Sequence, residues 1–245
     1  MQAHHIKNMF IFFCLFFTAE LKPLIILLNG ASSAGKSSLA KELSKSLNNS
    51  TTLHLDTFQT EDKSLYQGIK EIEDKYEYII VDSLLLNMKE EEAYRIVDSD
   101  ICFVLVYCPL HTIAQHVQKR NKSIDKSNHR DFYEVLYQLF WIMIYHSSKK
   151  VSYSFDWILW KDFEGICSEN IARKDKVDHM LHNFKKKFLH NGVLRFKPMF
   201  TYDLIVNTGI KSSYDCAQQI IRHIHSDRKR TAFYESYMKF KDNPF

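Results

Sequence analysis

Gly30-Ala31-Ser32-Ser33-Ala34-Gly35-Lys36-Ser37 fits the pattern G-x-x-x-x-G-K-[ST], which is typical of a phosphate-binding P-loop. Residues 23–29, directly before it, form an apolar run that predicts a buried strand, and apolar residues recur at helical spacing over 38–47. Strand, loop and helix therefore stand in the order that the motif requires. Because the whole chain has only six glycines, we interpret this stretch as a P-loop rather than a chance Gly/Ser turn.

The residue types of this loop suit a nucleotide phosphate. Glycines let the backbone turn so that its N–H groups face an anion, and the following helix adds the positive end of its dipole. Lys36 provides a charge for the β- and γ-phosphates, and the Ser37 hydroxyl is a ligand for Mg²⁺. The predicted cofactors are thus ATP and Mg²⁺, and the predicted nucleotide contacts are Gly30, Ser32, Ser33, Ala34, Gly35, Lys36, Ser37 and Ser38.

Further apolar segments predict the rest of a parallel sheet. Strands are expected over residues 51–56, 76–82, 100–108 and 202–207, and helices over 62–75, 89–97, 110–120 and 215–225. This alternation predicts an α/β fold of the P-loop kinase type, a parallel five-stranded sheet with helices on both faces. Ligands of such a sheet bind outside the carboxyl ends of its strands, where Asp56 and Asp82 are expected.

The two strand-end aspartates each have a functional and a structural interpretation. Asp56 stands where a carboxylate could take a proton from an acceptor beside the γ-phosphate, so we predict that it is the general base. Asp82 is predicted to contact Mg²⁺. In the structural interpretation, each aspartate simply caps the helix that follows its strand.

One long segment interrupts the alternation, and it divides the chain. Residues 121–198 contain aromatic-rich stretches at 132–141 and 155–160 and a basic segment at 175–190 that is predicted to be helical. We interpret 121–198 as a helical insertion in the lid position. The remaining predicted parts are an N-terminal apolar segment at 1–22, the first part of the kinase core at 23–120, and its last strand, C-terminal helix and tail at 199–245.

Composition bears on location and partners. The net charge of +4 does not indicate a nucleic-acid partner. The chain has five cysteines, an odd number, and no C-x-x-C pair, which fits a reducing cytoplasm. The apolar run at 9–19 is too short to span a bilayer as a helix. It is interpreted as a packed extension, or as an over-extended start with translation truly beginning at Met9; a secretory signal peptide is the alternative. We therefore expect neither a nucleic-acid nor a membrane partner; the oligomeric state stays open.

Four segments together resemble the chloramphenicol phosphotransferase-like proteins: residues 29–38, 54–58, 108–110 and 202–208. The resemblance implies the fold of the small P-loop kinases and transfer of the ATP γ-phosphate to a hydroxyl of a small molecule. It implies that Lys36 and Ser37 contact phosphate and Mg²⁺, and that Asp56 is the general base. It places Asp82 at the Walker-B-like position and Arg120 where the family carries arginines on the helix leading to the lid. We predict that Arg120, rather than being a surface charge, stabilises the transferring phosphoryl group.

Two departures from that family concern the acceptor side. Tyr107 stands where an arginine often precedes the Cys-Pro-Leu element, and residues 121–198 replace a short lid. The resemblance therefore does not name the acceptor. Two alternatives stay open: a P-loop protein that binds nucleotide and uses the insertion to bind a protein or nucleic acid, and a kinase that acts on a macromolecule.

Overall fold

The computed structural model describes residues 22–54, 65–83, 99–123, 135, 138, 182, 189–190, 193–194, 201–226 and 229–242. Its strands are β1 Leu24–Asn29, β2 Ser50–His54, β3 Tyr78–Ser83, β4 Asp100–Tyr107, β5 Leu189–His190, β6 Val193–Leu194 and β7 Leu204–Asn207. Its helices are α1 Lys36–Ser46, α2 Leu65–Lys70, α3 Leu110–Ser123, α4 Ser213–Ile224 and α5 Ala232–Asp242.

The main sheet confirms the predicted fold class. Five parallel strands pair in the order β2-β3-β1-β4-β7, so the strand that leads into the P-loop is central. α1 leads from β1 to β2 in one direction across the sheet, and α3 leads from β4 towards β7 in the other. Because parallel crossovers are right-handed, α1 and α3 lie on opposite faces. α4 packs against α1, which places it on the α1 face.

The core forms around β1 and β4, whose apolar residues are almost wholly buried. A parallel sheet covered on both faces needs strands that are apolar throughout, which is why the sequence shows continuous rather than alternating apolar runs there. Leu39 and Leu43 of α1 complete the packing on one face. No helix in the described ranges has the length and apolarity needed to cross a bilayer.

α5 was not predicted, and it packs against the inner strand β4. Phe233 packs edge-on against Phe103, with ring centroids 5.4 Å apart. The Asp203 carboxylate accepts hydrogen bonds from the backbone N–H groups of Phe103, at 2.8 Å, and Ala232, at 3.2 Å. Burial raises the pKa of this carboxyl, and the same hydrogen bonds partly offset the rise. Asp203 therefore ties the start of α5 to the central strands.

Several element boundaries differ from prediction. α2 ends at Lys70, before a turn at 71–75, whereas a helix was predicted over 62–75. α3 continues to Ser123 and α4 begins at Ser213, where the Ser212 side chain accepts a hydrogen bond from the Asp215 backbone N–H and caps the helix.

The prediction of a basic helix over 175–190 is wrong at the C-terminal end of that range. Leu189–His190 forms β5, which pairs antiparallel with β6 in a two-stranded hairpin. Asn191 and Gly192 lie between these strands in sequence, and such a pair favours a tight turn over a continuing helix. The other predictions for residues 1–21, for the helix at 89–97 and for most of the insertion fall outside the described residues.

Candidate nucleotide site

The P-loop backbone requires glycine at two positions. Gly35 has a φ of 89°, in the left-handed region that favours glycine. At Gly30, an added Cβ would lie only 2.4 Å from the carbonyl oxygen of Val106 in β4. Ser33 also has a positive φ, 63°, although it carries a side chain. The glycines thus allow the loop to curl tightly between β1 and α1 and to pass directly over β4.

Lys36 lies folded back over the loop. Its Nζ donates hydrogen bonds to the carbonyl oxygens of Gly30, at 2.9 Å, and Ala31, at 3.1 Å. The same ammonium group lies 4.0 Å from Oδ1 of Asp82, and each of these two side chains is only 10% exposed. A positive charge is therefore held at the mouth of the loop, close to a carboxylate.

Asp82 reaches the P-loop because of strand register. β3 pairs with β1 so that Asp82 lies opposite Leu28, close to the point where the chain leaves β1 for the loop. The Ser37 hydroxyl donates a hydrogen bond of 2.6 Å to Oδ2 of Asp82. The structure thus brings together Lys36, Ser37 and Asp82, three of the residues predicted for phosphate and metal binding.

His54 is a member of this cluster that the sequence patterns did not single out. It ends β2 and lies opposite Asp82 in the β2–β3 register. Its Nδ1 is 3.3 Å from Oδ2 of Asp82, and about half of the histidine side chain is exposed, at 49%. Its place at the carboxyl end of a strand neighbouring Asp82 was the signal that could have identified it.

Two side chains that are distant in sequence, and that the sequence analysis also missed, form hydrogen bonds with the tip of the loop. The backbone N–H of Ser32 donates a hydrogen bond of 2.9 Å to Oε1 of Gln138, which belongs to the predicted insertion. The carbonyl oxygen of Ser33 lies 3.0 Å from Nδ1 of His116 on α3, so this ring nitrogen carries the proton in that contact. No local pattern in the sequence indicates either pair.

The turn after β7 borders the other side of the loop. Thr208 Oγ1 lies 2.6 Å from the carbonyl oxygen of Ala34 and 3.0 Å from that of Tyr107. In the same turn, Ile210 is 75% exposed, the highest value among the large apolar side chains that the structure describes.

Burial raises the pKa of the Cys108 thiol, which lies beside this turn, and a hydrogen bond with Thr208 lowers that pKa in part. The net rise in pKa disfavours the thiolate form of Cys108.

The remaining predicted site residues are placed as follows. Ser38 is exposed on the first turn of α1, and Arg120 is exposed in the last turn of α3. Asp56, the predicted general base, lies outside the described residues, two positions after the end of β2.

Comparison with known proteins identifies similarity in fold. No family model and no curated protein sequence matches this chain. Among solved structures, it is similar to the APS kinase of Mycobacterium tuberculosis in complex with AMPPNP and APS, at 13% identity and a TM-score of 0.43 over 84% of this chain and 99% of the kinase. It is similar to shikimate kinase from Acinetobacter baumannii, solved with shikimate, at 12% identity and a TM-score of 0.40 over 85% and 96% of the two chains. A gluconokinase from Sinorhizobium meliloti matches at 14% identity and a TM-score of 0.37 over 69% and 98%. Likeness at these identities concerns the fold alone.

Proposed function

We propose that this protein is a phosphotransferase that moves the γ-phosphate of ATP to a hydroxyl of a small molecule, as chloramphenicol phosphotransferase-like enzymes do. One observation supports this most directly. Ser37 and Lys36, at the start of α1, both contact Asp82, the first by a hydrogen bond and the second at ion-pair distance. A helix N-terminus with a lysine, a hydroxyl and a carboxylate is the side-chain set that binding a nucleotide polyphosphate with its metal requires.

The residues present suit Mg²⁺. This ion prefers oxygen ligands and binds through one or two protein groups together with substrate phosphates. Ser37 and Asp82 provide a hydroxyl and a carboxylate 2.6 Å apart, and they would hold the ion. When bound, Mg²⁺ would neutralise charge that develops on the β- and γ-phosphate oxygens. His54 would orient Asp82, because it contacts the same Oδ2 that accepts the Ser37 hydrogen bond.

The chain's own residues would then divide the transfer between them. The P-loop N–H groups and Lys36 bind the phosphates, and Arg120 stabilises the transferring phosphoryl group. Asp56 accepts the proton of the acceptor hydroxyl. As the oxygen of that hydroxyl bonds to the γ-phosphorus, the bond from the γ-phosphorus to the β–γ bridging oxygen breaks. The insertion at 121–198 acts as the lid over these groups and shapes the acceptor pocket.

The nucleotide base is proposed to lie on Ile210. The turn that carries this residue is bonded to the P-loop through Thr208 and Ala34, and a large exposed apolar side chain suits the face of a purine. We expect Ile210→Ser to weaken binding of MgATP by roughly 10- to 150-fold, because burial of a large aliphatic side chain against a ligand contributes roughly 1.5–3 kcal/mol. Calorimetry would measure this. Tyr234→Ser is the control, because Tyr234 is an exposed residue of α5, and it should leave the affinity unchanged.

A transfer assay separates the proposed function from its alternatives. The full chain is incubated with γ-labelled ATP and Mg²⁺ against a panel of hydroxyl-bearing small molecules that includes chloramphenicol, and products are identified by phosphorus NMR. We expect a phosphate monoester of at least one panel member, and loss of product when EDTA removes the metal. Nucleotide binding without transfer to any small molecule, but with turnover on added protein or RNA, would instead support the partner-binding or macromolecular-kinase alternatives.

A further inference from the structure

Gln138 connects the insertion to the phosphate loop. Its Oε1 accepts a hydrogen bond of 2.9 Å from the backbone N–H of Ser32, across a separation of 106 residues in sequence. Val135, one helical turn earlier, is fully buried and belongs to the hydrophobic core that contains β1 and α1. The helical segment that carries Gln138 is thus fixed to the same core as the P-loop, so the contact with Ser32 is not that of a loose surface side chain.

The position of Lys36 indicates which end of a bound nucleotide would face Gln138. The P-loop lysine serves the β- and γ-phosphates. Here its Nζ lies against the carbonyl oxygens of Gly30 and Ala31, in the first half of the loop, next to Ser32. The end of the loop that Gln138 contacts is therefore the end that faces the β- and γ-phosphates, whereas Gly35 and the start of α1 lie further along.

The chemistry of the amide assigns separate tasks to its two ends. A primary amide has an oxygen that accepts and an amino group with two N–H donors. Only the amide oxygen, Oε1, can accept from the Ser32 N–H, so the two N–H groups of Nε2 take no part in that hydrogen bond. We propose that Nε2 of Gln138 donates to a γ-phosphate oxygen while Oε1 holds Ser32, so that this residue makes the site prefer a nucleoside triphosphate to the diphosphate. This inference rests on the proposed nucleotide function.

A purely structural role for Gln138 makes a different prediction. If the side chain only linked the insertion to Ser32, its loss would weaken triphosphate and diphosphate binding alike, because ADP uses the same loop. A contact with the γ-phosphate affects the triphosphate alone. The ratio of the two affinities is therefore the decisive quantity, and it does not depend on knowing the acceptor.

The experiment measures that ratio by calorimetry on the full chain, with MgADP and with the non-hydrolysable analogue MgAMPPNP. Gln138→Glu keeps an oxygen for the Ser32 N–H but replaces the donors by negative charge. We expect it to weaken AMPPNP binding by about 10- to 100-fold, the effect of losing a hydrogen bond to a charged group, and ADP binding by less than about threefold. Gln138→Met, which removes donors and acceptor without adding charge, should weaken AMPPNP binding about tenfold.

Gln118→Glu is the matched control, because Gln118 is an exposed glutamine on α3. It should leave both affinities unchanged, and thermal unfolding would confirm that each variant is folded. An unchanged AMPPNP-to-ADP ratio in Gln138→Met, whatever the result for Gln138→Glu, in a protein whose wild type binds ADP, would overturn this inference and leave the proposed function intact, because the added charge of glutamate repels a γ-phosphate without any hydrogen bond. Failure of the wild type to bind either nucleotide would overturn both.

Discussion

Replacing Lys36 by alanine is expected to reduce phosphoryl transfer by about 10²–10³-fold and to weaken ATP binding, while the fold is retained. The magnitude is that of removing one electrostatic contact to charge that develops in a transition state. The side chain is mostly buried, but its hydrogen bonds go to the loop's own carbonyl groups and its ion pair to Asp82, so its loss leaves the sheet intact. Calorimetry with MgATP and the labelled-phosphate assay would measure the two effects.

Lys41→Ala provides the matched control. Lys41 is an exposed lysine on the same helix, α1, so the variant removes the same charge from the same element without touching the loop. Its ATP affinity and turnover should match those of the wild type. A folded Lys36→Ala protein that still bound ATP with wild-type affinity and turned it over at the wild-type rate would refute the nucleotide-site assignment.

Asp56→Asn is expected to lower kcat by about 10²–10⁴-fold and to leave ATP affinity nearly unchanged. Asparagine keeps the shape of the side chain and its hydrogen-bonding capacity but cannot take the acceptor proton, and this range is the usual contribution of a general base. In sequence, residue 56 comes two positions after His54, which ends β2 and contacts Asp82. Steady-state kinetics with a panel acceptor would measure kcat, and calorimetry the affinity.

Asp74→Asn controls for the change of charge, because Asp74 is exposed in the turn before β3. It should have no effect on either quantity. Wild-type turnover in Asp56→Asn would show that the proton leaves by another route, for which His54, at the end of β2 beside Asp82, is a candidate.

The sequence predicted the parts of the site that depend on local pattern. The P-loop motif and the apolar runs identified β1, β3 and β4, and a parallel sheet necessarily brings the ends of neighbouring strands together. Asp82 could therefore be associated with Ser37 from the order of motifs along the chain, and the two are in contact. The exact ends of strands and helices were less well predicted, because the last residues of an element depend on caps and packing rather than on periodicity.

The contacts at the tip of the loop could not have been predicted in this way. Gln138 and His116 reach Ser32 and Ser33 only through the packing of distant segments, and neither lies in a recognisable motif. His54 was missed because a single histidine at a strand end has no pattern of its own. α5 was missed although its buried residues Phe233 and Tyr237 stand four positions apart, the spacing of one helix face.

The strand order also determines when this site can form during folding. β1 precedes the other strands that the structure describes, yet both of its partners, β3 and β4, come from far later in sequence. As the chain emerges from the ribosome, β1 therefore has no partner strand until β3 has been synthesised, and it is paired on both sides only after β4 has been synthesised. Non-local pairing of this kind is intrinsically slow, because loop closure must be achieved before the contacts stabilise the chain. A nucleotide that binds only the completed site would stabilise the folded state by mass action. Its stabilising effect would come only after the slow strand pairing is complete.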